Sequence, residues 1–216
     1  MRLTGFSSLS LLLLPCTSPV TARSIPLSVR DAPASLPRVT SISYSGEGCP
    51  SSAPDVERTG AGFGDIGFRL NGFEAKLPGI DTSSTNCQVH LQATGCTAGW
   101  QVGIHDATIK GHLVLDPGAS VTWYLTSFWS EDAGDTTTIS GTIANNGGGR
   151  TDQDVSQTAN ASPIAWSPCS KSDGFLGTLN VNFRVALNAA GNQYGYFGKD
   201  SDTAAAESWS YVWRRC

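Results

Sequence analysis

The amino-acid sequence predicts an all-β protein, an antiparallel β-sandwich of jelly-roll-like form tied by two disulfides. Three observations carry that expectation. Apolar residues recur at every second position along most of the chain, 24 Gly and 11 Pro punctuate it at short intervals, and no long apolar stripe of helical period interrupts the pattern. Val39, Ile42 and Tyr44 open the first strand, and Gly46, Gly48, Pro50 and Pro54 make the turns that follow. Ile66, Phe68, Leu70 and Phe73 form a second apolar run. Cys87, Val89 and Leu91 alternate with Gln88, His90 and Gln92, which marks a strand with one wet face. Trp100, Val102 and Ile104 alternate with Gln101, Gly103 and His105; Leu113 with Leu115, then Val121, Trp123 and Leu125, continue the period. Further strands are expected over 136–143, 163–166, 178–187 and 208–213, with 145–149 the most flexible internal loop.

Composition narrows the function classes. A hydrophobic fraction of 39% supplies a core and excludes disorder for most of the 216 residues. The formal net charge of -4, with no Lys/Arg run, argues against a nucleic-acid partner and against anionic membranes. Arg2, the apolar segment around Leu9 to Leu14, Pro15 and the small residues Val20, Thr21 and Ala22 make a secretory signal peptide over 1–22, too short to span a bilayer. Residues 23–37 hold Pro26, Pro33 and Pro37 without a period and are expected to be a flexible leader or propeptide, trimmed near Arg38; the folded domain is 38–216. After signal cleavage the product is expected outside the cell, with no membrane attachment.

Removing Cys16 with the signal leaves Cys49, Cys87, Cys96, Cys169 and Cys216 in an oxidising compartment. Five is odd. Cys96, in what reads as a loop tip, is the candidate free or intermolecular thiol. The expected pairs are Cys49 with Cys87 and Cys169 with Cys216, although spacing alone leaves the connectivity open.

No motif assigns a catalytic residue, a cofactor or a metal. Gly62 to Gly67 fits a dinucleotide-binding spacing, but a strand-like segment rather than a helix follows, so a β-turn is expected. A hairpin of the strands around His90 and His105 would put both imidazoles on one face, near Asp106 or Asp116; the spacing matches no metal motif, and surface solvation is expected. Asp152-x-Asp154 and Asp200-x-Asp202 lack the glycine and glutamate of a calcium loop and are read as solvating loops. Asp65, Glu74, Asp106, Asp116 and Glu131 lie in or beside strands and could supply the carboxylate pair of a glycoside hydrolase.

Aromatic side chains give the stronger argument, for binding. Trp209, Tyr211 and Trp213 share one face of the last strand and are read as core, whereas Tyr124 and Trp129 are the candidate ligand-binding aromatics, because exposed rings stack on sugar faces. Asn160-Ala161-Ser162 is a glycosylation sequon.

The order of motifs resembles a family of fungal secreted proteins, domain of unknown function 4360. The residues that carry the resemblance are Ile42 to Pro50 with its Gly-x-Gly-Cys-Pro ending, Asn86-Cys87-Gln88-Val89, Gly99-Trp100-Gln101-Val102, Trp166-Ser167-Pro168-Cys169 and Trp213-Arg214-Arg215-Cys216. The resemblance implies a small secreted fungal β-protein with four cysteines and implies no activity; Cys96 is extra to that pattern. The function expected is a non-catalytic extracellular binding or cell-wall-associated module with polysaccharide or another extracellular surface as partner. The alternatives are a carboxylate glycoside hydrolase and an effector acting on a protein.

Overall fold

A computed structural model describes residues 32–216 apart from 53, 80 and 81. The expected signal peptide, and the leader up to residue 31, lie outside the described residues. The strands are β1 (Arg38–Ser45), β2 (Val56–Thr59), β3 (Gly67–Leu70), β4 (Ala75–Leu77), β5 (Ser84–Thr94), β6 (Trp100–Leu115), β7 (Ser120–Trp129), β8 (Asp132–Ala144), β9 (Thr151–Asn160), β10 (Thr178–Asn188), β11 (Gly195–Gly198) and β12 (Ala205–Arg215). They form two antiparallel sheets. A five-stranded sheet runs β1-β5-β10-β7-β8, and a seven-stranded sheet runs β2-β3-β12-β6-β11-β4 with β9 also paired to β6.

Two-residue alternation dictates which side chains meet between the sheets. In β7, Val121, Trp123, Leu125 and Trp129 point inward and are buried, while Thr122, Tyr124, Thr126 and Phe128 point outward. Trp100, Phe63, Phe68, Phe73, Phe183 and Phe197 complete the filling, with the Phe73 and Phe183 rings stacked at 4.7 Å. Burying each such ring contributes on the order of 2–3 kcal/mol. Trp123 also ties the sheets at their margin: its indole N–H donates to Gln157 Oε1 on β9 at 2.6 Å. Gly141 makes room for that contact, since a Cβ there would lie 2.6 Å from Trp123 Nε1.

β6 organises the larger sheet. It pairs with β12 along Trp100 to Lys110 and with β11 along His112 to Leu115. β9 pairs along Asp106 to Leu115, so it occupies the opposite edge. His112 consequently sits between Gly198 of β11 and Asp154 of β9.

Several expectations are corrected. The strands around His90 and His105 do not form a hairpin: β5 pairs with β1 and β10 in one sheet, and β6 belongs to the other. The 163–166 segment is not a strand, because Pro163 and Pro168 have no N–H to give a ladder. Serine side chains substitute for that ladder along the free edge of β6. Val102 N–H donates to Ser167 Oγ and Trp100 N–H to Ser170 Oγ, both at 3.0 Å, while the Ser167 and Ser170 N–H groups donate to the Val102 and Trp100 carbonyls at 2.8 Å. β9 was not expected, because its sequence carries almost no apolar alternation.

Disulfides join Cys49 to Cys87 and Cys169 to Cys216. The first links the turn after β1 to β5, and the second fastens the serine-bearing segment to the end of β12. Paired cysteines of this kind are typical of extracellular proteins. Among the described residues no helix is long and apolar enough to cross a membrane.

Candidate functional site, a broad uncharged sheet face

The outward face of the five-stranded sheet has an unusual chemistry. β1 contributes Ser43 and Ser45; β5 contributes Asn86, Gln88, His90 and Gln92; β10 contributes Thr178, Asn180, Asn182 and Arg184. β7 adds Thr122, Tyr124, Thr126 and Phe128, and β8 adds Thr136, Thr138, Ser140 and Thr142. Among these, Arg184 carries a permanent charge, and at the β1 edge, opposite Thr94, Arg38 carries another. Hydroxyl and amide groups therefore cover a surface where soluble sheets ordinarily place Lys and Glu.

Cross-strand pairing holds these groups in place. Ser45 Oγ and Asn180 Oδ1 contact the two ring nitrogens of His90 at 3.0 and 2.7 Å, and Asn180 Nδ2 donates to Ser130 Oγ at 2.8 Å, so one polar row crosses the sheet. Asn86 with Asn182, Gln92 with Thr178, Thr126 with Thr138 and Thr122 with Thr142 make parallel pairs. Tyr124 stands half-buried between Arg184 and Ser140, and Phe128 between Asn180 and Thr136. The face offers aromatic surface beside oriented donors and acceptors, the combination that recognises a polyol with one apolar side.

Trp129 does not join Tyr124 there. It is 2% exposed, because it falls on the inward register of β7. Trp209 is core, whereas Tyr211 and Trp213 are partly exposed beyond a register shift after Ser210, with Phe63 stacked on Tyr211 at 4.3 Å. Among the described residues Cys96 is unpaired, but it is 5% exposed rather than at an accessible loop tip, and burial pushes its thiol pKa up. A sulfur so placed is not positioned for an intermolecular bridge. Asn160 ends β9 on an exposed site.

The acidic residues anchor local structure. Asp65 accepts from the Ala61 and Gly62 N–H groups, which hold its carboxyl below the usual range and close the glycine-rich turn. Asp116 binds Arg150 Nε and the Tyr194 N–H, with Arg150 the larger cause of its lowered pKa. Glu131 accepts from Thr178 N–H. Asp106 joins His105 and Ser210, on the sheet opposite His90.

A polar groove of about 480 Å³ lies on the other sheet, walled by Arg69, Lys110, Lys199 and the 200–204 loop and floored by Thr108 and Ser208. It contains no aromatic side chain, so it offers no stacking surface. At its margin Asp152, Asp154 and Asp200 converge on His112 instead of solvating their loops separately.

The model of a protein family described as "Domain of unknown function (DUF4360)" matches residues 36–216. The chain belongs to that family. No curated protein matches this DUF4360 chain. Among solved structures, one titled as TmCBM61 in complex with β-1,4-galactotriose is similar at 12% identity, covering 82% of this chain and 90% of its own, with a TM-score of 0.21.

Within the DUF4360 domain the sheet face was only partly visible beforehand. Tyr124 stood out as an aromatic in the polar register, but the amide and hydroxyl field is assembled from five strands whose order no local pattern encodes. The Asp-x-Asp segments read as solvating loops, and their convergence on His112 depends on the pairing of β6 with both β9 and β11.

Proposed function

We propose that this DUF4360 domain is a non-catalytic extracellular binding module that holds a neutral polysaccharide against the outer face of its five-stranded sheet. The observation that carries the reading is the composition of that face: locked rows of Ser, Thr, Asn and Gln around Tyr124, with Arg184 as the permanent charge beside the ring. Sugar hydroxyls exchange water for preoriented amides at little ordering cost, and the apolar side of a pyranose ring covers Tyr124. A charged face would demand an ionic partner; this one does not. Of the acids that could serve a hydrolase, Asp65, Asp116 and Glu131 are engaged in anchoring turns and strand ends. Export from a fungal cell, N-glycosylation at Asn160 and a place at the cell wall complete the reading. They rest on the signal-like 1–22 segment, the sequon and the two disulfides.

Sedimentation with insoluble chitin, β-glucan and cellulose tests it. The domain is expected to pellet with at least one of them, and Tyr124→Ala to weaken retention about tenfold, near 1.4 kcal/mol. Lys110→Ala in the opposite groove is expected to leave retention unchanged. A domain that stays in solution with all three polysaccharides, or a Tyr124→Ala variant that binds as well as the parent, overturns the reading.

A further inference from the structure

We propose that His112, Asp154 and Asp200 form a binding site for a divalent transition-metal ion of the zinc type, with Asp152 orienting the imidazole. The site stands apart from the polysaccharide face, on the other sheet, and does not depend on that reading.

Topology builds the site from three segments far apart in sequence. His112 lies on β6, Asp154 is its direct cross-strand partner on β9, and Asp200 follows Gly198, the partner of His112 on β11. The donor atoms of His112, Asp154 and Asp200 all lie within 4.8 Å of one another. His112 Nδ1 is 3.0 Å from Asp154 Oδ1 and 3.2 Å from Asp200 Oδ2. Neighbouring ligands on an ion with bonds of about 2.0–2.2 Å stand roughly 3.0–3.5 Å apart, so the nitrogen already stands from each oxygen at the spacing of one coordination sphere.

Each donor is also held from behind. Asp152 Oδ1 lies 3.1 Å from Nε2, on the far side of the ring. A carboxylate there accepts a hydrogen bond from Nε2–H and so leaves the Nδ1 lone pair facing the ion, the arrangement that metal-bound imidazoles usually show. The second oxygen of Asp154 accepts from Thr203 Oγ1 at 2.6 Å, and the second oxygen of Asp200 accepts from the Asp202 and Thr203 N–H groups at 2.8 and 2.6 Å. One oxygen of each carboxylate is thus fixed while the other aims at Nδ1. Two carboxylate oxygens face one ring nitrogen, and a single N–H directs its proton to one oxygen at a time, whereas an ion between the three would engage both oxygens together. The imidazole side chain is 16% exposed while the Asp154 side chain is 57% exposed, so the ring is fixed in the sheet and the open side of the site is reached by water.

The donor types select the ion. Calcium and magnesium take oxygen ligands, which leaves an imidazole unused, and copper(I) prefers sulfur. One nitrogen with two carboxylates suits Zn²⁺, with water filling the remaining positions. The bound ion would clamp the 200–203 loop, one wall of the groove, onto β6 and β9.

Equilibrium dialysis of the folded, disulfide-bonded protein against buffered Zn²⁺ near neutral pH tests the assignment. About one Zn²⁺ per chain is expected. His112→Asn and Asp200→Asn are each expected to lower affinity at least tenfold, Asp152→Asn to lower it about 10- to 100-fold through the imidazole, and Asp202→Asn, whose side chain is not a ligand, to leave it unchanged. Circular dichroism on each variant verifies the fold, and Asp154→Asn, which keeps shape and a hydrogen-bonding oxygen, is the second ligand variant if His112→Asn does not fold. Absence of stoichiometric binding by the parent protein, or equal affinity in folded Asp154→Asn and Asp200→Asn variants, overturns the proposal.

Discussion

Glu207 is a carboxyl group in the wrong place by ordinary rules. It points inward from β12, opposite Phe68 and Ile109, is 1% exposed, and neither oxygen has a hydrogen-bond partner among the described residues. Burial raises its pKa well above the ordinary carboxylate value of 4.5. The folded protein therefore keeps the proton to higher pH than the unfolded chain does, and stability falls as pH rises above the unfolded value, by at most about 1.4 kcal/mol per pH unit until the folded group ionises. Glu207→Gln is expected to unfold at higher urea than the parent near pH 8 and at the same urea near pH 4. Equal midpoints at both pH values would show that the carboxyl is solvated in the native state. The last strand expected from the sequence, 208–213, stops short of residue 207, and nothing about a charged side chain there signals a dry position.

At the scale of elements, the edge of β6 shows how sequence chemistry substitutes for a strand. Ser167 and Ser170 are 1% and 3% exposed, and each uses both its hydroxyl and its main chain on β6. Ser167→Ala leaves the buried Val102 N–H without an acceptor and is expected to cost about 1–3 kcal/mol. Chemical denaturation reads that loss, and faster hydrogen exchange at the Val102 amide locates it. A change under about 0.5 kcal/mol would mean that water replaces the serine. The apolar residues of 163–166 look strand-like, and only the flanking prolines signal otherwise. β9 fails in the opposite sense. Val155 and Ala159 are nearly its whole apolar content, and the strand exists because the exposed edge of β6 supplies a partner, not because its own side chains demand burial.

For the whole molecule, the disulfides close separations of 38 and 47 residues. The chain-entropy model gives each about 4 kcal/mol, and measured values run to about 2–4 kcal/mol. Replacing both Cys169 and Cys216 by Ala is expected to lower unfolding free energy by about 2–4 kcal/mol and to expose the end of β12 to proteolysis, because the serine segment and that strand are then joined only through β6 and side-chain contacts. Unchanged stability and protease resistance would make the bridge ornamental. Two sheets whose strands come from every part of the chain depend on such long-range ties, since local contacts hold little of the structure together.

The layered β architecture, the inward set Val121, Trp123 and Leu125 and the cysteines available for bridges were legible one segment at a time, because side-chain alternation and thiol chemistry are properties of neighbouring residues. Strand order is not such a property. It put His90 and His105 on different sheets, sent Trp129 inward beside the outward Tyr124, gathered Asn180, Thr126 and Ser45 into one uncharged field, and brought Asp154 and Asp200 to His112 from opposite edges of β6. Each of those meetings depends on which edge pairs with which, and hydrogen-bonded edges carry no residue-specific label: the backbone groups that pair are the same at every position.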